Sequence, residues 1–289
     1  MMKQGIMWRA AILIAALMLA QPALAQGAAA VRKQVEASLR VTGSITIATD
    51  GSVERVELDA PEALPKGIAA FVGGNVAAWR FEPVLVDGKP RRALTKMSAL
   101  VVGKSIGDDQ MQVSIRGADF GDYAAIPEAE RVVALKLKPP SYPAGPARSG
   151  AQGTAYLLVK VERDGSVGEV ATEQVNLRIV TNEAQMNQYR ERFATAAMAA
   201  ARTWTFTPPT AGEEATQPYW VVRVPVDFSF GGQQRQGKWE VYVPGPRSRP
   251  IWAPDEDQPG FAPGALAEGG VHLAGNKSGP RLLTPLDGA

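Results

Sequence analysis

Residues 159–167 read Val-Lys-Val-Glu-Arg-Asp-Gly-Ser-Val, and residues 45–53 read Ile-Thr-Ile-Ala-Thr-Asp-Gly-Ser-Val. In the earlier stretch Ile45 and Ile47 point one way and Thr46 and Ala48 the other, the period-2 alternation of a strand. Asp-Gly between two such runs is a hairpin signal, and a type I′ turn is expected, with positive φ at both central residues. A calcium loop is the rival reading. It needs several more oxygen ligands at fixed spacing, and neither Asp50 nor Asp164 has them nearby.

Working outward, Trp79-Arg80-Phe81-Glu82-Pro83 matches Trp204-Thr205-Phe206-Thr207-Pro208. Gly88 and Gly212 follow, and then a β-branched run. Asp50 lies 29 residues before Trp79, and Asp164 lies 40 before Trp204, so the later copy carries an insertion. The intervening segments have helical spacing. Ile68, Phe71, Val72, Val76 and Trp79 line one face, with Pro65 near the start, where a missing N–H does no harm. In the later copy Met186, Tyr189, Phe193, Ala196, Ala197, Ala200 and Trp204 form a longer stripe whose alanines permit close approach to a sheet. Final strands are expected at Thr95 to Val102 and Trp220 to Phe230. In the second, Val222, Val224, Val226, Phe228 and Phe230 share a side. Pro225 cannot donate to a ladder, so this strand is expected at a sheet edge, at least locally.

The expected fold class is therefore α+β, with two tandem small domains at residues 35–103 and 139–230. Each is read as a three-stranded antiparallel sheet packed on one helix. Residues 104–138 read as a linker, with a short strand at Met111 to Ile115 and a helical or extended piece from Pro127 to Leu135. Residues 231–289 contain eleven glycines and eight prolines, a composition expected to be largely disordered. Trp239, Tyr242 and Trp252 stand out as residues able to fold back, with a strand near Trp239 to Val243.

The N-terminus has an export design. Lys3 and Arg9 precede an apolar run from Ala10 to Ala20, and Ala23-Leu24-Ala25 precedes Gln26 as a small-x-small cleavage signal. The run is shorter than a comfortable membrane span, so a signal peptide at residues 1–25 is expected, with an uncleaved inner-membrane anchor as the alternative. The periplasm is the expected location. The chain has 31 basic and 29 acidic residues. Residues 1–25 contain two of the bases and no acid, so the exported remainder is balanced and exerts no general attraction on nucleic acid or anionic lipid.

Chemistry is sparsely supplied. There is no cysteine and one histidine, His272. Disulfides, thiolate metal sites and cysteine nucleophiles are excluded, and no cofactor or metal is implied. Gly103-Lys104-Ser105 lacks the upstream glycine of a phosphate-binding loop. Asp108-Asp109 and Glu213-Glu214 read as solvated charges, and Arg91, Arg92 and Lys96 as a solvated hairpin end. A binding protein, not an enzyme, is the expectation.

The ordered set in residues 139–230 resembles the C-terminal domain of TonB-type energy transducers. It comprises Pro140-Ser141-Tyr142-Pro143, Gly153-Thr154, Asp164-Gly165, the helix running into Trp204-Thr205-Phe206-Thr207-Pro208, Gly212 and Phe228-Ser229-Phe230. Residues 35–103 resemble a shorter, divergent copy. The resemblance implies a periplasmic module whose edge strand pairs with a peptide of an outer-membrane TonB-dependent transporter. Tyr142 and Pro143 would lie beside the groove, and Arg223, Val224, Pro225, Val226, Asp227 and Phe228 on the docking strand. Full transducers also have a motor-coupled N-terminal helix and a Pro-rich spacer. Here the apolar run has no Ser or His on a helical face, no such spacer follows residue 26, and a second domain copy stands in its place. The alternatives are an envelope scaffold that binds cell wall or itself, and an anchored transducer. Mass spectrometry of the native chain is expected to find Gln26 at the N-terminus; an intact residue 1–25 segment would show retention as an anchor.

Overall fold

A computed structural model describes residues 31–107, 110–122, 125–231, 237–267, 269–275 and 279–286. The expected signal peptide and Asp108-Asp109 lie outside the described residues. No described helix is long and apolar enough to cross a membrane.

The first unit opens with β1 (Glu36–Ile47) and β2 (Val53–Leu58), followed by α1 (Ile68–Ala77). A small hairpin, β3 (Leu85–Val86) and β4 (Lys89–Pro90), precedes β5 (Ala93–Gly107) and β6 (Gln110–Phe120). The link to the second unit contains β7 (Val133–Lys136) and α2 (Ala144–Arg148). The second unit has β8 (Gly153–Glu162), β9 (Val167–Leu177), α3 (Glu183–Ala201), β10 (Thr205–Thr207) and β11 (Tyr219–Phe228). The tail adds β12 (Glu240–Tyr242) and β13 (His272–Leu273).

The class is α+β with antiparallel sheets, but neither main sheet stops at three strands. In the first, β5 pairs with one edge of β1 and then with β6, while β2 and β12 share the other edge of β1. The second sheet runs β13-β11-β8-β9, and β7 pairs separately with β10. The extra strands come from the stretches read as linker and tail. Long β5 continues past Val102 and returns as β6, so residues 104–120 belong to the first unit.

Each unit buries one helix face against its sheet. Ile68, Val72 and Val76 join Leu39, Val41, Ile45, Ile47 and Val101 in the first core. Trp79, Phe81 and Phe120 meet edge to face there, with centroids 5.1–6.5 Å apart. Met186, Tyr189, Phe193, Ala197 and Ala201 join Leu157, Val159, Val222, Val224 and Phe228 in the second. Burying each such side chain contributes about 1.5–3 kcal/mol. α3 is capped by Asn182, whose Oδ1 accepts the Gln185 N–H at 3.0 Å.

The repeated motifs meet in space. The Phe81 N–H donates to the Gly51 carbonyl at 2.8 Å, and the Phe206 N–H to the Gly165 carbonyl at 2.9 Å. A Cβ on either glycine would stand 2.0 Å from the phenylalanine carbonyl oxygen, and their φ values are +82° and +81°. The turns are not type I′. Asp50 and Asp164 have no positive φ; each accepts from the serine two residues on, at 2.9 Å from N–H and 2.6 Å from Oγ. These bonds hold a type I turn that only the following glycine completes, the three-residue hairpin with a bulge. Positive φ at both central residues occurs instead at Asp87-Gly88, between β3 and β4.

The tail is the largest correction. Val243, Ala265, Leu266 and Leu282 are almost fully buried, and Tyr242, Ala253 and Phe261 nearly so. Leu282 enters the first core beside Phe81. Glu240–Tyr242 pairs with β1 as the expected folded-back strand, and the next residue, Val243, exchanges two backbone bonds with Leu177 of β9. One segment thus ties both sheets together. The Tyr242 hydroxyl donates to buried Glu36 at 3.0 Å, and Arg116 grips the same carboxylate from 2.9 Å.

Gly51→Ala and Gly165→Ala should each lower the unfolding free energy by about 2–3 kcal/mol through positive-φ strain and collision. Gly74→Ala should raise it by about 0.5–1 kcal/mol, since a Cβ there, in α1, meets nothing within 4 Å. Urea denaturation compares the three; equal effects would contradict the joint.

Candidate strand-docking edge

β11 pairs in full with β8, from Tyr219 opposite Glu162 to Phe228 opposite Gly153. Side chains of Val222, Val224, Val226 and Phe228 point into the core beneath α3. Backbone groups alternate as well. The carbonyls of Val221 and Pro225 face away from β8, accepting from Ala274 N–H at 2.8 Å and Gly269 N–H at 3.4 Å. Arg223 lies opposite His272 on the same outer side. Proline at 225 therefore removes an N–H that would face outward, as the edge reading expects.

Among the described residues, strand pairing on this outer side is confined to Val222 opposite Leu273 and Arg223 opposite His272. The edge exists, and the chain's own tail lies along part of it. Val271 and Leu273 are half-buried against the second core. With Val132, Trp220 and Val222 they line a cavity of about 330 Å³.

The candidate residues separate into different roles. Val224, Val226 and Phe228 turn their side chains into the core, and by the same alternation their backbone groups face β8. Asp227 accepts from Arg178 at 2.6 Å and from the Thr154 hydroxyl at 3.0 Å. Tyr142 donates to the Ala151 carbonyl and stacks on exposed Phe230 at 4.7 Å, with Phe193 and Phe228 against its ring. Burial raises the pKa of its hydroxyl. Pro143 begins α2 and borders a separate groove with Arg148 and Arg192. That groove does not share residues with the β11 edge cavity.

Arg223 is buried on the opposite sheet face, where sequence reasoning had no partner for it. Glu173 is the extra residue of a bulge in β9, opposite the step from Tyr156 to Leu157, and the bulge re-aims its carboxylate. Glu173 is fully buried and accepts from Arg223 Nε at 2.8 Å and Arg247 at 2.6 Å. Asp257 accepts from Arg223 at 2.6 Å and also meets Arg247 and Arg249. The Phe261 ring lies 4.5 Å from the Arg223 guanidinium. The network clamps the tail onto the face that α3 leaves uncovered, beside an apolar cluster of Leu158, Val221, Trp252 and Ala253. Arginines at 247 and 249 with Asp257 were the only sequence signal, and their partner Glu173 lies too far along the chain to be paired with them by spacing. Among the basic cluster, Arg92 forms a two-pronged ion pair with Glu54 on β2.

Glu173→Ala leaves buried Arg223 short of a counter-charge and should cost about 3–5 kcal/mol by denaturant unfolding. Burial pushes the pKa of Asp257 up, but Arg223, Arg247 and Arg249 outweigh it and hold the carboxyl below its ordinary 3.8. Its stabilising contribution is thus present above that value and lost as pH falls through the lower folded value. Trp252 fluorescence should report loosening of the tail as pH falls below the ordinary carboxyl value of 3.8; a tail that tightens on acidification would contradict the clamp.

Comparison with known proteins finds no matching family model and no matching solved structure. A stretch of 95 residues is 36% identical to "Protein TonB" of Xanthomonas campestris pv. campestris (strain B100), covering 32% of this chain and 36% of that protein. A stretch of 91 residues is 34% identical to "Protein tonB2" of Pseudomonas aeruginosa, covering 32% of this chain and 28% of that protein. The chain spans about a third of the length of the curated relatives it matches, and it carries a TonB-like segment of that extent.

Proposed function

We propose that this is a non-enzymatic periplasmic binding protein of TonB-like type. It recognises an extended segment of a protein partner by strand addition to the outer edge of β11, and the partner class is an outer-membrane transporter. The single observation that carries the reading is the short pairing on the outer side of β11, limited among the described residues to Val222 and Arg223 of a ten-residue strand. The TonB-like segment supports a role in envelope transport.

In this reading the partner's affinity comes from main-chain bonds to the outward-facing groups of residues 221, 223, 225 and 227, and selectivity from alternate side chains. Arg178 and Asp227, paired at 2.6 Å, keep the end of β11 in register with β8. In this reading the stacked Tyr142 and Phe230 rings offer an aromatic surface to an incoming strand at that end.

Titrating isotope-labelled chain with short peptides of outer-membrane transporters should shift backbone resonances of residues 219–228 and 269–275. The exposed face of α3 should stay unchanged. Shifts confined to α3, or to the groove beside Pro143, would contradict docking at β11.

A further inference from the structure

The segment Gly269–Ala274 lies along the edge assigned above, and its manner of binding is informative. Two backbone bonds, Ala274 N–H to Val221 and Gly269 N–H to Pro225, bracket the short ladder formed by His272 and Leu273. Val271 and Leu273, two residues apart, turn the same way onto the second core, while His272 turns toward Arg223 and Asp257. This is the side-chain alternation of a bound strand.

Its hold is weak by construction. A two-residue ladder has few bonds to lose. Val271, His272 and Leu273 are all only half-buried, and only Ala274 at the segment's end is seated, against Leu158, Val221 and Ala253. Gly269 opens the segment and Gly275 follows it, with φ of +71° and +65°, conformations open to glycine at little cost. The neighbours on either side are firmly seated, Leu266 at 2% exposure and Leu282 at 0%. Seated neighbours on both sides would hold a lifted segment beside β11 while the rest of the tail stays in place. Pinning keeps its effective concentration at the edge high.

We propose that Gly269–Ala274 is an internal competitor that occupies the docking edge of β11 until an external strand displaces it. The occupant also describes the partner: an extended peptide with two apolar side chains two residues apart, taking the positions of Val271 and Leu273 beside Trp220 and Val222. The proposal rests on the strand-addition reading and adds both the pattern recognised and the gate that regulates it.

The test uses the full chain and a fluorescent peptide of its own residues 269–275, Gly-Gly-Val-His-Leu-Ala-Gly, read by anisotropy. His272→Pro removes an N–H from the internal strand, and Val271→Asp with Leu273→Asp removes its apolar anchors; Leu266 and Leu282 are untouched in both. Because occupied edges reduce apparent affinity by the free fraction, each variant should bind the probe about tenfold or more tightly than the unaltered chain. A probe with aspartate at the valine and leucine positions should bind none of them. Circular dichroism identifies folded variants, and if one unfolds the other decides. Equal affinity for unaltered and variant chains overturns the internal competitor while sparing strand addition. No binding to any folded variant overturns strand addition itself. Concentration-dependent dimers of the unaltered chain, with the segment exchanged between copies, would overturn internal competition in favour of mutual occupation.

Discussion

A glycine hydrogen faces a phenylalanine carbonyl at the heart of each unit. At Gly51 and Gly165 the turn backbone comes so close to Phe81 and Phe206 that a methyl group would stand 2.0 Å from the carbonyl oxygen. That proximity joins the tip of the hairpin to the chain leaving the helix. The tryptophan just before is then held in the core, the proline just after directs the chain away, and the next long strand returns beside β1 or β8. Without the joint, the helix could pack on its sheet in several rotations; with it, the helix exit has one address.

The repeat was legible because each of its signals is local. Asp-Gly, Trp-x-Phe-x-Pro and the apolar stripes of α1 and α3 report their own structure through periodicity and turn chemistry. Even here the turn type was missed, since Asp50 and Asp164 accept bonds from Ser52 and Ser166 instead of adopting positive φ. Pro225 marks a stretch of β11 without a ladder partner on its outer side, but β13 pairs at Val222 and Arg223, so β11 is an edge only locally. The tail was not readable, because its order comes from distant partners: Leu282 seats against Phe81, and Arg247 reaches Glu173. Composition weighs the average residue of a segment, whereas a few well-placed anchors decide whether it docks. Its prolines also limit the freedom that docking removes. Short strands at Met111 to Ile115 and near Trp239 to Val243 are readable from local pattern, but their pairing partners, and β13 altogether, are not, since pairing depends on register with remote strands.

Side-chain placement changes what the docking strand can do. Arg223, Val224, Val226, Asp227 and Phe228 look from sequence like a contact surface. Three of them instead face the core, Arg223 serves the tail clamp, and Asp227 is held by Arg178. What remains for a partner is backbone along one side and the apolar hollow beside Trp220. Both are already engaged, in part, by the chain's own residues. Under the proposal of an internal competitor, the clamp of Glu173 and Asp257 with three arginines would also keep that segment near the edge it covers.

Amide hydrogen exchange on the intact, unliganded chain, read segment by segment by mass spectrometry, tests the central claim most directly. Residues 269–275 should exchange about a hundredfold faster than β8, through local opening, while residues 240–243 remain protected with the sheets they join. Protection at 269–275 equal to that of β8 would mean that the edge is closed as part of the folded body, and the account of a displaceable strand would be contradicted.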